Sequence, residues 1–249
     1  MPIIIKSEKE IATIREAGRI VAQVLQILAE AVKPGLSRKE LDKIVRREFA
    51  ARGAKPAFLG YRGYPASVCV SINDEIVHGI PDGRVFREGD IVSIDLGATY
   101  KGFVGDAAIS VGVGRLDAEA ERLLRVTESA LYKGIAAARA GVPLGAVSHA
   151  IQVEAEGQGF SVVREYVGHG VGRQMHEEPQ VPNFGPPDRG PVLKKGMVLA
   201  IEPMVNAGDW RTKRHDDNWT VSTLDGSLSA HFEHTIAITD GEAQILTLP

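Results

Sequence analysis

The sequence predicts an α+β fold, and three observations carry the prediction. Two helix-like stretches precede a group of strand-like runs, and the same order returns in the second half. Apolar residues recur at helical spacing in the first kind of segment and in short β-type runs in the second. A strand motif ending in a carboxylate occurs once in each half.

The elements follow in order. Ser7 and Glu10 form a capping-box signature, after which Ile11, Ile14, Val21, Val24, Leu25 and Leu28 mark one helical face until Pro34-Gly35. Ser37 and Glu40 repeat that signature, with Leu41, Ile44, Val45 and Phe49 as the apolar stripe and Gly53 as the stop. Strands are expected over 67–72, 91–96 and 107–113. A third helix spans Asp117 to Ala140 and a fourth runs from about Leu144 to Glu156. Strands return over 197–205 and 232–239. Gly185-Pro-Pro-Asp-Arg-Gly-Pro191 reads as a rigid loop too short to separate domains. The chain is therefore expected to be one domain, 1–249.

Displacing the chain by 107 residues superimposes Arg87-Glu-Gly-Asp-Ile-Val-Ser-Ile-Asp95 on Lys194-Lys-Gly-Met-Val-Leu-Ala-Ile-Glu202. Gly89 falls on Gly196 and Asp95 on Glu202, which suggests related halves, approximately 7–113 and 117–240.

Composition narrows the function. The 249 residues carry 29 Lys and Arg against 32 Asp and Glu, with no basic cluster, which argues against a nucleic-acid partner. The single cysteine, Cys69, excludes an internal disulfide and any cysteine-cluster zinc site. The apolar run after Met1 is too short for a signal peptide, and no stretch approaches about 18 apolar residues. The expectation is a cytoplasmic protein that does not enter membranes.

The chemistry lies in carboxylates set in apolar strands. Asp95 and Asp106 flank Thr99-Tyr-Lys-Gly102, a turn sequence, and a hairpin centred on Tyr100-Lys101 places them directly opposite each other on one face. At about 4 Å and an effective dielectric of about 20, their repulsion is about 4 kcal/mol. A shared proton, a cationic side chain or a metal must offset it. Glu202 and Glu233 repeat the problem in the second half. Four carboxylates aimed at one point point to divalent cations.

Histidines stand in glycine frames, which leave an imidazole unobstructed. His78 lies in Ile76-Val-His-Gly-Ile-Pro-Asp82, and His169 and His176 lie in Gly168-His-Gly-Val-Gly-Arg-Gln-Met-His-Glu-Glu-Pro179. No helix start or Lys-Ser/Thr follows the glycines, so they are a poor phosphate loop. His149 and His215 read as surface residues, and His231 and His234 as neighbours supporting Glu233. There is no His-Glu-x-x-His helix and no Gly-x-Ser-x-Gly elbow.

The series Asp95, Asp106, His169, Glu202, Glu233 resembles the five-ligand dimetal set of the methionine aminopeptidases, metallopeptidases of family M24 with the pita-bread fold. The frames Ser93-Ile-Asp-Leu-Gly97, Gly168-His-Gly-Val-Gly172, His176-Glu-Glu-Pro179, Ala200-Ile-Glu-Pro203 and Phe232-Glu-His-Thr235 are similar to the family's motifs, as is Ser67-Val-Cys-Val-Ser-Ile-Asn-Asp74 before His78. The resemblance covers about residues 7 to 240, and the short chain is similar to the bacterial type I form. It implies pseudo-twofold halves, a curved antiparallel sheet and outer helices.

The resemblance also implies roles. Asp95 chelates one divalent ion, Asp106 and Glu233 bridge the pair, and His169 with Glu202 hold the other. The ions are cobalt, manganese, iron(II) or zinc, and a water or hydroxide activated by them attacks the first peptide bond. Glu202 acts as base, and His78 and His176 hydrogen-bond the scissile amide. Tyr61, Tyr64, Cys69 and Trp219, with Phe58 and Met175, line the methionine pocket. Asn73 supplies a carbonyl to a structural monovalent cation. His231 stands where relatives often carry glutamine. The implied substrate is the initiator methionine of nascent polypeptides with a small second residue. A monomer is implied, with the ribosome as a plausible partner. Proline dipeptidases and aminopeptidases P share the ligand pattern but carry a large N-terminal domain, and a silent binding protein of the same fold would lose ligands.

Overall fold

Four helices form where the apolar spacing predicts them, in a computed structural model that describes residues 2–249, so Met1 lies outside the described residues. Helix α1, Glu8–Ala31, has the full capping box: Glu10 N–H donates to Ser7 Oγ at 3.4 Å and Ser7 N–H donates to Glu10 Oε2 at 3.0 Å. Helix α2, Arg38–Ala51, lacks the expected box, because the Ser37 side chain makes no cap bond. Ser37 instead bridges Val85, and the Arg38 and Lys39 N–H groups donate to the carbonyls of Arg84 and Asp82. A neighbouring chain segment thus satisfies the helix end that the sequence assigned to a side chain. Helix α3, Ala118–Ala137, starts at an Asp117 cap and stops three residues before the predicted Ala140. Helix α4, Gly145–Gly157, begins under the proline-rich loop. A Cβ on Gly145 would lie 2.3 Å from the Pro186 carbonyl oxygen, so only glycine admits that close approach.

The site is built on a nine-stranded antiparallel sheet. Its relevant strands are β1 (Cys69–Ile72), β3 (Ile91–Tyr100), β4 (Phe103–Gly112), β5 (Gly168–Gly170), β6 (Glu177–Val181), β7 (Val198–Ile201) and β11 (Glu233–Ala237). The path runs β3–β4–β11–β7–β5–β6, with β1 on the free side of β3. Two smaller sheets use β2 (Glu75–Val77), β8 (Met204–Asn206), β9 (Val221–Thr223) and β10 (Ser229–His231).

Side-chain alternation gives the main sheet two different faces. Val92, Ile94, Leu96 and Ala107 point outward and pack with Val21, Leu25, Leu28, Leu41, Val45 and Phe49 of α1 and α2. Leu199, Ile201 and Ile236 pack with Leu123, Leu131, Val147 and Ile151 of α3 and α4. Both helix pairs therefore cover the outer side of the sheet, and the acidic residues share the other.

Two predictions for the sheet need correction as well. The β3–β4 hairpin turns at Lys101-Gly102, where both residues have positive φ, and not at Tyr100-Lys101. Asp95 pairs with Ala108, and Asp106 pairs with Gly97. A slip of two residues keeps the face, so the two aspartates remain neighbours on it, now diagonal rather than opposed. The run 197–205 is two strands, because Pro203 has no N–H to continue the ladder. The chain leaves the main sheet at Glu202 and re-pairs as β8 with β10.

Candidate metal centre

Strand register brings four residues from four strands, and Glu202 from the end of a fifth, to one place. Asp95 on β3 and Glu233 on β11 both pair with Ala108 of β4, from opposite sides. His169 on β5 pairs with Ala200 of β7, and Glu202 follows the last β7–β11 pair, Ile201 with His234. By alternation all five predicted ligands face the same side. Thr235 secures the junction: its Oγ1 donates to the Asp106 carbonyl at 2.7 Å and accepts from the Asp106 N–H at 3.2 Å.

The side chains meet closely. His169 Nε2 lies 3.4 Å from Glu202 Oε1 and 3.7 Å from Asp106 Oδ2. Ligand atoms of Asp106, His169 and Glu233 all fall within 4.8 Å of one another. His169 Nδ1 donates to the Gly170 carbonyl at 2.9 Å, which leaves the Nε2 lone pair facing the carboxylates. A lone pair and carboxylate oxygens at that range have no proton to share unless an acid is protonated. Asp95 Oδ1, Asp106 Oδ1 and Glu233 Oε1 are buried without hydrogen-bond partners. Acceptors with no donor are the arrangement a cation satisfies.

Electrostatics agree with the geometry. Burial pushes Asp95 up to about 7. Burial and then the neighbouring carboxylates push Asp106, Glu202 and Glu233 well above the ordinary range. Burial lowers His169 to about 3, with the His176 imidazole adding to the effect, so it stays neutral. Strained protonated acids and a neutral imidazole suit replacement of protons by divalent ions.

Above these groups is a cavity of about 180 Å³, lined by all five predicted ligands and by Phe58, Tyr61, Tyr64, Cys69, His78, Met175, His176 and Trp219. Every residue the sequence selected for catalysis, the divalent ions or the pocket is therefore gathered at this cavity, and Asn73, selected for a monovalent cation, lies outside its lining. Burial, then Asp95, raises the Cys69 thiol, which lies beside Asp95 across β1 and β3 and remains a neutral wall. Gly97 makes room for that wall: a Cβ there would stand 2.8 Å from the Phe58 ring and 3.3 Å from Met175. Asp217 holds the Trp219 turn by accepting its N–H at 2.9 Å.

The two remaining histidines flank the opening. His78 adopts φ 60, left-handed for a non-glycine residue, a costly conformation of the kind kept where function needs it. The Tyr61 hydroxyl lies 2.9 Å from His176 Nδ1, and the His169 and His176 rings are 4.2 Å apart. Burial lowers both, His78 to about 4 with a contribution from His176, and His176 also through the Arg62 guanidinium. Glu177 shapes the loop carrying Met175 and His176, accepting N–H groups from Arg173 and Gln174 and pairing with buried Lys6 at 2.7 Å. As expected, His149 is exposed; His215 is half-buried and meets Ser222 Oγ at 2.8 Å.

Sequence reasoning missed Arg62, Val77, Tyr166, Val167 and Met204, which also line the cavity. Tyr166 and Met204 stand three and two residues from predicted ligands, the one available signal. Gly97 was visible only as part of a motif.

The sequence pattern of metallopeptidase family M24 matches residues 12–240. The chain belongs to metallopeptidase family M24. Methionine aminopeptidase 1 of Bacillus subtilis is 55% identical over 245 residues, covering 98% of this chain and 99% of that protein. The crystal structure of a Thermotoga maritima methionine aminopeptidase superimposes with a TM-score of 0.98 at 50% identity, covering 100% of each chain. A Pyrococcus horikoshii prolidase shares the fold at a TM-score of 0.80 and 26% identity, with 98% of this chain but 63% of that one covered. As an M24 metallopeptidase the chain is a hydrolase with the pita-bread fold. Among the described residues no helix is long and apolar enough to cross a membrane.

Proposed function

We propose that this M24 enzyme is an aminopeptidase that releases N-terminal methionine from polypeptides whose second residue is small. One observation supports the reading best: five acceptor side chains converge, partly without donors, at the floor of a small, largely apolar cavity. Asp95, Asp106, His169, Glu202 and Glu233 would hold two divalent ions, whose oxygen-rich donor set admits manganese, iron(II), cobalt or zinc. Bound there, the ions supply Lewis-acid activation of water and of the scissile carbonyl.

The chain's own groups do the rest. Glu202, held at its backbone by Asn183 Nδ2 at 3.1 Å, accepts the proton of the attacking water. His78 and His176, kept neutral by burial, each present an N–H to the scissile amide and stabilise the negative oxygen as it develops. Phe58, Tyr61, Tyr64, Cys69, Met175 and Trp219 enclose a thioether with aromatic and polarizable surface. The Asn73 carbonyl accepts one N–H, from Ser229 at 2.8 Å, and its second lone pair is available to a monovalent cation. The same reading takes 1–249 as one catalytic domain with halves 7–113 and 117–240. It makes the enzyme a cytoplasmic monomer that works on nascent chains at the ribosome.

The test is to remove metal, restore manganese, cobalt, iron(II) or zinc singly, and assay Met-Ala-Ser, Ala-Pro-Ala and N-acetyl-Met-Ala-Ser. Metal-dependent release from Met-Ala-Ser alone is expected. Cleavage of Ala-Pro-Ala would move the chain to proline substrates, and inertness toward all three would overturn the reading. His78→Ala should keep both ions and lower kcat about 100-fold or more; loss of metal would make His78 a ligand.

A further inference from the structure

His231 is a buried side chain beside the centre whose chemistry the proposed mechanism leaves unused. It is 1% exposed, and neither ring nitrogen has a hydrogen-bond partner. An imidazole with both nitrogens unpaired in a buried site is costly, so its position calls for a partner that the loaded site supplies. Its backbone is fixed at both ends: Ser110 Oγ donates to the His231 carbonyl at 2.8 Å and accepts its N–H at 2.9 Å. Ser110 is itself tied to Ser93 at 2.7 Å across β3 and β4. The ring is thereby aimed at Glu202, with Nε2 3.8 Å from Oε2.

Glu202 consequently has an imidazole beside each oxygen. His169 Nε2 faces Oε1 with a lone pair, because its proton is committed to Gly170 at Nδ1. His231 has no such commitment, so its proton is free to sit on Nε2 and donate. The two flanks are therefore complementary: one oxygen faces a fellow ligand and the other faces a donor.

We propose that His231 is a positioning residue whose Nε2–H donates to Glu202 Oε2, leaving Oε1 turned toward the metal on the His169 side. This rests on the reading of Glu202 as ligand and base. The pair stands at 3.8 Å, outside the ordinary hydrogen-bond range of about 2.7–3.2 Å, so a small shift of the Glu202 carboxylate on metal loading would complete the bond. Groups that orient a ligand in this way typically change metal affinity or activity by about 10–100-fold when removed. Glutamine carries an amide N–H at similar reach and preserves the bond; asparagine is one carbon shorter and does not.

The experiment titrates Mn²⁺ and Co²⁺ calorimetrically into metal-free wild type, H231Q, H231N and H231L, with kcat and KM on Met-Ala-Ser and a thermal melt of each. H231L and H231N should lose about 10–100-fold in affinity for one ion, with kcat lowered and KM little changed. H231Q should stay within about threefold of wild type, since it keeps the donor. Wild-type affinity and kcat in H231L and H231N would overturn the proposal and make His231 packing alone. H231Q as impaired as H231L, at an unchanged melting temperature, would overturn it in favour of direct ligation. If H231L fails to fold, the contrast between H231Q and H231N decides. Wild-type protein that takes up no divalent ion would instead overturn the metal reading itself, and this proposal with it.

Discussion

The N-terminal helix pair with its hairpin and the C-terminal helix pair with its strands each deliver two carboxylates to the centre, by different wiring. Asp95 and Asp106 lie on one continuous hairpin, eleven residues apart, and their diagonal placement follows from a two-residue turn. Glu202 directly follows β7 and Glu233 opens β11, and the chain between them leaves the sheet, forms β8 to β10 and supplies Trp219 to the pocket. The helices differ as well. Gly18 of α1 seats directly on Gly105 of β4, backbone against backbone, whereas Gly134 of α3 meets the Ile151 side chain of α4. Either connection thus brings the carboxylates together, provided alternation keeps each of them on the inner face. The N-terminal unit closes locally, and the C-terminal unit adds Trp219 to the cavity wall through its excursion.

The largest test of that equivalence replaces one carboxylate from each unit. Asp106→Asn and Glu233→Gln should each lower kcat/KM at least about a thousandfold, equivalent to about 4 kcal/mol, and reduce bound metal together with activity. Losses differing by more than about tenfold, or turnover retained in either variant, would show that the two units do not share the ions as proposed.

A second test asks whether the buried charge is shared. Asp95 has a folded value of about 7 against an ordinary 3.8, and Asp106, Glu202 and Glu233 are also raised. A raised group contributes stability that is fully present below its unfolded value and is lost as pH rises through its folded value. From pH 7 to 9 the buried histidines, with folded values near 3 or 4 and an ordinary 6.5, are neutral in both states and contribute nothing to the slope. Metal-free protein should therefore weaken as pH rises through about 7, with a slope of at most about 1.4 kcal/mol per pH unit for each carboxyl still protonated in the folded state. The Asp95 part of that slope should fade within about one pH unit above its folded value. Urea melts should show this, and saturating Mn²⁺ should remove it. Asp95→Asn and Glu202→Gln should each flatten the slope; an effect from one alone would confine the charge to one unit.

The smallest test addresses the helices. Gly105→Ala forces a Cβ to 2.4 Å from the Gly18 nitrogen, where no side chain can yield, and should cost about 2–3 kcal/mol. Gly134→Ala meets only side-chain carbons of Ile151 and Val147 and gains helix propensity of about 1 kcal/mol, so it should stay within about 1 kcal/mol of wild type. Equal losses in denaturant melts would erase the distinction.

Much of this was legible residue by residue. The Ser7–Glu10 box, the Asp117 start of α3, the stops before Gly53 and Gly141, and the embedding of four carboxylates in apolar strands are all local patterns. Physical cost made the acids conspicuous, since a charge in a buried strand needs a partner. What the sequence left open depends on segments meeting at a distance. Ser37 read as a cap because nothing near it in sequence reveals the bridge to Val85. The hairpin register depended on whether Gly102 took a turn position, which the strand pattern does not decide when a two-residue slip keeps the same face. His231 was visible only as a neighbour of Glu233; its orientation toward Glu202 comes from Ser110 on another strand. The sequence by itself determined which residues gather at the cavity and which face of each strand they share, because alternation and burial act within a few residues. Only the tertiary structure decided which oxygen faces which nitrogen and how large the pocket is, because register, turn position and glycine-to-glycine approach are settled between segments far apart in the chain.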